Sequence, residues 1–361
     1  MPLKLTWAGL TDVGMKRAGN EDAYIVAEDL GLYVVCDGMG GHASGEVASA
    51  MTTEGIVAFA RARHNGDDSL PYQAEEGVTP NEVILSNAIQ HANDKVYIAG
   101  MKDPSLEGMG TTVVAVQEVD GKLILAHVGD SRIYRFRGGV LEQVTRDHSL
   151  LNHKIDMGEL TDPDDIKNFK HGNIIVRAIG LKDYVRPETG VIDRQAGDVM
   201  LLCSDGLTDL VDDWAIENVL EANQDDLEEA AIIFIRMAND RGGKDNITVI
   251  LMRFDAEPEM GFGDGRRNEA TSPGNGGNDD VTDPGLQAYE DDDEDEDGPT
   301  LVGANFQGFS SGGDDQTAPH TPVFMWDEQE PAGRRRDRKN QTDQLPSIVV
   351  DDELPSIIVD D

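Results

Sequence analysis

Basic residues are scarce in this chain. Its 361 residues hold 30 Lys and Arg against 70 Asp and Glu, a formal net charge of −40. Such a surface repels nucleic acid and anionic membranes, so neither is expected as a partner. Cysteine is almost missing: Cys36 and Cys203 are the only two, and both lie in apolar runs that read as strands. A disulfide framework is therefore not expected, and a reducing, cytoplasmic setting is. Each cysteine reads as a small apolar core residue, without the basic neighbours that activate a thiolate. No apolar run reaches the roughly 18 residues that a membrane-spanning helix needs. Met1-Pro2-Leu3-Lys4 is not followed by the apolar core of a signal peptide. The length allows one large domain or two small ones.

What is present is a folded pattern up to about Asp255 and a different composition after it. Leu3 to Leu10, Ala23 to Ala27 and Leu32 to Cys36 read as strands. Ala43 to Arg63 and Pro80 to Ala99 carry helical spacing, joined by a polar surface loop over His64 to Thr79. From Gly110 the period returns to that of strands: Thr111 to Glu118, Lys122 to His127 and Arg132 to Arg137, with Asp120-Gly121 as a hairpin signal. Gln143 to Phe169 is polar and mixed, an excursion rather than core, with His148 and His153 expected on the surface. Asp198 to Cys203 is a strand, Trp214 to Leu220 and Leu227 to Ala238 are helices, and Asn246 to Phe254 is the closing strand. Residues 256–361 are rich in Gly, Asp, Asn, Pro and Ser, with a wholly acidic run from Glu290 to Asp297. Such a segment cannot bury enough apolar surface to offset its ordering entropy and is expected to be a disordered tail. It ends on a phrase written twice, Leu345 to Asp352 and Leu354 to Asp361, rich in Val and Ile. Each copy could add as a strand to a sheet edge of a partner; tandem duplication without function is the alternative.

The folded part repeats one device, an acid where a strand meets a glycine turn. It occurs at Asp37-Gly38-Met39-Gly40-Gly41-His42, at Gly129-Asp130 and at Asp205-Gly206. Glu21-Asp22 precedes the first, and Asp245-Asn246 precedes the last strand. A carboxylate at the end of a buried strand needs a cation, a hydrogen-bond network or a raised pKa. Oxygen ligands without clustered Cys or His favour the hard ions Mg2+ or Mn2+ over zinc. Two such ions about 4 Å apart can hold a phosphoryl group and bridge one hydroxide. Arg17 suits a fork on phosphate oxygens, and His42 suits proton delivery to a leaving alkoxide.

Six segments taken in order resemble the successive motifs of the metal-dependent, protein phosphatase 2C-like family in its bacterial serine/threonine form. They are Arg17 to Asp22, Asp37 to His42, Gly110-Thr111-Thr112, Val128 to Arg132, Ser204 to Leu207 and Asp245 to Thr248. The resemblance covers about Lys4 to Phe254. It implies an α+β fold, a four-layer α-β-β-α sandwich of two antiparallel sheets flanked by helices, as a catalytic domain over 1–255. It implies hydrolysis of phosphoserine and phosphothreonine on proteins by a hydroxide held between two Mn2+ or Mg2+ ions. Asp37 would bridge the metals. Asp205 and Asp245 would hold the first and the Gly38 carbonyl the second, with Glu21 and Asp22 acting there directly or through water. Asp130 and Asp209 match positions of a third, weaker metal. Arg17 matches the phosphate-binding arginine and His42 the general acid, and 146–185 matches the mobile flap. The implied partners are phosphorylated proteins, Ser/Thr kinases and their substrates, and the implied state is monomeric. Asp130 as a turn cap and Asp209 as a solvated helix-start acid remain open beside these roles, and Arg132 reads as an ion-pair partner for a site carboxylate. Two rivals stay in view: a binding module with a dead site, and an interaction protein whose business lies in the tail.

Overall fold

In the computed structural model the described residues are 3–40, 44–71 and 77–256. His42 and the C-terminal segment with its repeated phrase lie outside them. Strands β1 (Leu3–Asp12), β7 (Arg132–Arg137), β8 (Val140–Gln143), β10 (Val199–Cys203) and β11 (Ile247–Ala256) form one sheet, in the order β1-β11-β10-β7-β8. Strands β2 (Asp22–Ala27), β3 (Leu32–Met39), β5 (Val113–Val119), β6 (Lys122–Val128) and β9 (Glu188–Asp193) form the second in that order, with the short β4 (Gly110–Thr111) on β3. The pairings are antiparallel throughout. Helices α1 (Ser44–His64) and α2 (Pro80–Lys102) cover the second sheet. Helices α5 (Asp205–Thr208), α6 (Asp213–Asn223) and α7 (Leu227–Asp240) cover the first. The result is the expected α-β-β-α sandwich.

Side-chain alternation builds its three apolar layers. In β3, Leu32, Val34 and Cys36 face α1 and α2, whereas Tyr33 and Val35 face the other sheet. In β11, Val249 and Leu251 face α7, whereas Ile250, Met252 and Phe254 join the layer between the sheets. Both faces of these strands are buried, so their sequence reads as continuous apolar runs. The Asp120-Gly121 hairpin has positive φ at both residues, 52° and 76°, as a two-residue turn of matching twist requires. Helix α2 begins on a capping box in which Thr79 and Glu82 satisfy each other's backbone N–H groups.

Several elements depart from the sequence reading. Strand β3 does not stop at Cys36; it continues through Asp37 to Met39 because β4 pairs with Gly38 and Met39. The edge strands β8 and β9 are short and half exposed, and their composition does not set them apart from loops. The last strand reaches Ala256, paired with Leu3, one residue past the expected domain boundary. The excursion contains two short helices, α3 (Leu150–Asp156) and α4 (Pro163–Lys167). His153 is exposed as expected, but His148 is buried at 8% exposure, because it fills the root of the excursion against His127 and Glu188. Among the described residues no helix is long and apolar enough to cross a membrane.

Candidate metal centre

At one end of the sandwich the layer between the sheets turns from apolar to polar without a change of parity. Tyr33 and Val35 are followed on the same face by Asp37; Val26 and Tyr24 lead back to Asp22. By the same two-residue period Val114 leads to Thr112, Ile133 to Ser131, Leu202 to Ser204 and Ile250 to Thr248. These residues interlock. The Thr112 and Ser131 hydroxyls lie 2.7 Å apart, the Ser204 hydroxyl donates to Asp22 Oδ2 at 2.7 Å, and the Thr248 amide donates to Ser204 Oγ at 3.0 Å. The Ser204–Asp22 bond joins the two sheets at the centre.

The register of β2 on β3 places Asp22 directly opposite Asp37. Like charges at such a position destabilise a sheet unless something neutralises them. Asp37 is held through its backbone: its N–H donates to Thr112 Oγ1 at 3.0 Å, and its carbonyl accepts from the Thr112 amide and the Thr111 hydroxyl, each at 2.8 Å. Its carboxyl is left free to reach Asp205, with which it shares a hydrogen bond. Asp205 opens α5 just beyond β10, and Asp209 follows its last residue, solvent-exposed and at the helix end rather than its start. Asp245 precedes β11 and accepts from the Asn246 amide at 2.8 Å. Asn246 in turn accepts from the Glu21 amide at 2.7 Å and donates to the Val13 and Gly19 carbonyls at 2.9 Å. Gly38 donates to the Glu21 carbonyl at 3.0 Å. The N-terminal end of α1 lies close by: a Cβ on Gly45 would stand 2.8 Å from Glu21 Cδ. A Cβ on Gly38 would collide with the Gly45 and Glu21 carbonyls. The glycines thus let the Glu21 loop, β3 and the start of α1 approach one another closely.

The electrostatics are those of a site built for cations. Burial, then repulsion from neighbouring acids, raises the carboxyls of Asp22 and Asp130 to about 7 and that of Asp205 to about 6, and drives Asp37 well above the usual range. Glu21 is raised by burial and partly lowered by Arg17. Asp22 Oδ1, Asp130 Oδ1 and Asp205 Oδ1 are buried without a hydrogen-bond partner. Buried carboxylate oxygens without a hydrogen-bond partner, on acids that repel one another, fit hard divalent ions, whose oxygen ligands are of this type. An unpartnered Oδ1 on Asp130 also tells against a turn-capping role for that atom.

Arg17 borders the site, its Nη2 2.6 Å from Asp245 Oδ2 and its Nη1 3.6 Å from Glu21 Oε2, and its side chain is 46% exposed. Beside Asp130, Asp205 and Asp209 opens a groove of about 620 Å3, walled by Arg132 and by Arg146, Asp147, Leu151 and Asn173 of the excursion. Arg132 does not hold one of the expected site acids; it forks onto Asp147, with contacts of 2.8, 3.0 and 3.2 Å. The structure therefore brings together Arg17, Glu21, Asp22, Asp37, Gly38, Asp130, Asp205, Asp209 and Asp245. Sequence reasoning about charge overlooked the neutral partners Thr112, Ser131, Ser204, Asn246 and Thr248. Their signal was present, since each stands inside one of the six segments.

Comparison with known proteins agrees with this geometry. A family model described as Protein phosphatase 2C matches residues 16–252. The serine/threonine phosphatase stp of Listeria monocytogenes serotype 4b is 38% identical over 248 residues, covering 68% of this chain and 94% of that protein. Among solved structures, the serine/threonine phosphatase PstP/Ppp of Mycobacterium tuberculosis aligns with a TM-score of 0.60 and 34% identity, covering 71% of this chain and all of that one. A structure of the PstP catalytic domain in complex with two manganese ions aligns with a TM-score of 0.57 at 34% identity, over 71% of this chain and 100% of that one.

Proposed function

The chain belongs to the protein phosphatase 2C family and is a metal-dependent protein serine/threonine phosphatase using Mn2+ or Mg2+, and from that premise we propose how its own residues serve the reaction. Asp37 would be shared by the cations, Asp205 and Asp245 would hold one, and the Gly38 carbonyl would serve the other, with Glu21 and Asp22 acting there directly or through water. Asp130 and Asp209 would hold a third, weaker cation. The observation that carries this assignment is the cross-strand Asp22–Asp37 pair beside the orphaned oxygens of Asp22, Asp130 and Asp205. When bound, the cations acidify a water to make the nucleophile and offset charge on the phosphoryl oxygens.

The chain supplies the rest. Arg17 already pairs with acids at the rim, and its exposed N–H groups fork onto two phosphate oxygens, fixing the ester in line. Thr111 and Thr112 hold the Asp37 main chain, so its carboxylate does not swing when the phosphate arrives. His42 delivers a proton to the departing Ser or Thr oxygen. The groove beside Asp130 and Asp209 receives the polypeptide around the phosphorylated residue. Cys36 and Cys203, both buried and raised in pKa by burial, form no phosphoenzyme. Their unpaired state is consistent with a cytoplasmic setting, where phosphoproteins made by Ser/Thr kinases are the substrates.

The test is phosphate release from phosphoserine and phosphothreonine peptides, with a phosphotyrosine peptide as control. Hydrolysis should require Mn2+ or Mg2+, vanish on chelation and return with added metal. A full-length protein inert under these conditions would be a binding module, and the reading would fail.

A further inference from the structure

His127, His148 and Glu188 place potential ligand atoms within 4.8 Å of one another, apart from the acid cluster. Their hydrogen bonds show that this group is not arranged for a cation. His127 Nε2 lies 2.9 Å from the Arg146 carbonyl, which can only accept, so that nitrogen carries a proton. His148 Nδ1 accepts from the Gly129 amide at 3.1 Å, so the proton of its neutral ring sits on Nε2 and points to Glu188 Oε2 at 3.0 Å. The Arg177 guanidinium beside His148 Nε2 also puts a fixed positive charge where a cation would have to sit. Arg177 Nη1, 2.9 Å from His148 Nε2, donates to the Arg186 carbonyl at 3.1 Å.

The same bonds define another task. His148 holds Gly129 at two points: its ring accepts from the Gly129 amide, and its own amide donates to the Gly129 carbonyl at 2.9 Å. Gly129 stands at φ +105°, where a Cβ would come within 2.6 Å of Thr112 Cγ2. It therefore has no side chain of its own to fix the turn that carries Asp130. On the other side His148 accepts from the Val176 amide at 2.9 Å, next to the Ser149–Ile175 bridge. The outgoing and returning ends of the excursion thus meet on this one residue. Arg132 gripping Asp147, and the Ile133 amide donating to Thr145 Oγ1 at 3.0 Å, seal the far flank of the turn.

Resting on the phosphatase reading above, we propose that His148 is a positioning residue: its Nδ1 and backbone amide lock Gly129, aim the Asp130 carboxylate into the metal cleft and tie that aim to the root of the flap. Burial, with His127 and Arg177 nearby, lowers its pKa to about 4, so the ring stays a neutral acceptor at working pH.

Two amides separate this role from simple space filling. Asn places Oδ1 where the ring has Nδ1 and keeps the acceptor for Gly129. Gln places its amide where the ring has Nε2 and keeps only the Glu188 side. In the full-length protein, His148→Asn should hold Mn2+-dependent kcat within about threefold of wild type, whereas His148→Gln and His148→Ala should each lose about tenfold, the worth of one hydrogen bond. Hydrogen exchange of the peptide containing Gly129 should rise in the Gln and Ala variants and stay slow in Asn. In an Asp130→Asn background, His148→Gln should cost less than about twofold more, since its effect runs through Asp130. Equal loss in the Asn and Gln variants, unchanged exchange at Gly129 in His148→Gln, or a full additive loss on Asp130→Asn would each overturn the proposal. Exchange needs no turnover, so a wild-type protein without phosphatase activity would sink the functional reading while the clamp was still decided at Gly129.

Discussion

The acid cluster makes the metal-free protein less stable as pH rises, and Asp22→Asn isolates the effect. Asp22 is buried and raised from 3.8 to about 7, chiefly by burial, then by Asp205 and Asp245 against the hydroxyl bonds that lower it. A carboxyl with a raised folded pKa gives the folded state its full stability below the unfolded value. That stability is lost as pH climbs through the window from 3.8 to about 7, where only the folded chain keeps its proton. At about 1.36 kcal/mol per pKa unit, the wild-type acid costs about 1.6 kcal/mol at about pH 5 and about 4 kcal/mol at about pH 7.5. Asn keeps the acceptor for Ser204 and removes the charge. Because Asp22 and Asp37 face each other, the protons belong to the pair, and the figures above count one proton of that pair. In chelator, thermal unfolding should show Asp22→Asn gaining stability over wild type by about 2.5 kcal/mol more at about pH 7.5 than at about pH 5, roughly 5–10 °C for a domain of this size. With saturating Mn2+ the order should reverse, because wild type alone gains the full binding energy. A pH-independent difference in chelator would refute the argument that Asp22 is a buried acid awaiting a cation.

Asp37→Asn and Asp205→Asn should each lower kcat more than about 100-fold while the far-ultraviolet circular dichroism spectrum stays unchanged, since they would remove direct ligands and the losses known for outer-shell partners already reach that size; near-normal turnover in either would undo the metal assignment. Arg17→Ala should raise KM for phosphopeptides about tenfold with Mn2+ binding retained by calorimetry, as expected on losing a charge-assisted fork; a collapse of metal affinity at unchanged KM would make Arg17 a support for Asp245 instead. Gly129→Ala should cost about 2 kcal/mol or more in urea unfolding and depress turnover, because the residue stands at φ +105° against Thr112. A chain ended after Ala256 should keep peptide hydrolysis, since Ala256 still pairs with Leu3; loss of hydrolysis would make residues 257–361 part of the enzyme.

Much of this centre is legible in the sequence because its acids occur where apolar runs break on glycine. Asp37, Asp130, Asp205 and Asp245 can be picked out that way, and the six ordered segments then give them roles. What sequence could not supply is parity. Leu32 to Cys36 is apolar at every position, so nothing in it says which alternate set faces the other sheet, Tyr33 and Val35 with Asp37, or Leu32, Val34 and Cys36. Only the register on β2 reveals Asp22 as the opposite member. His148 was misjudged for a related reason. It stands in a polar stretch, and its burial comes from His127 on β6 and Glu188 on β9, far away in sequence. The short edge strands β8 and β9 carry no strong period because one side of each meets solvent and their length allows few repeats.

The placement of the neutral residues explains how such an unfavourable cluster survives folding. Asp22, Asp37 and Glu21 each have help from a hydroxyl or amide that fixes the residue and leaves carboxylate oxygen open. Ser204 occupies Asp22 Oδ2 and leaves Oδ1 without a partner. Thr111 and Thr112 take the Asp37 main chain, not its carboxyl. Asn246 ties Glu21 to Val13 and Gly19 through backbone groups, which leaves the Glu21 carboxylate to Arg17 at the rim, 3.6 Å away. Were these supports replaced by Lys or Arg, the acids would be neutralised within the fold and the cations would have to displace a salt bridge. Neutral donors hold geometry without cancelling charge. The fold therefore carries a standing electrostatic cost at this end of the sandwich, met by three apolar layers elsewhere, and on the proposed assignment relief of that cost would give a divalent cation its affinity there.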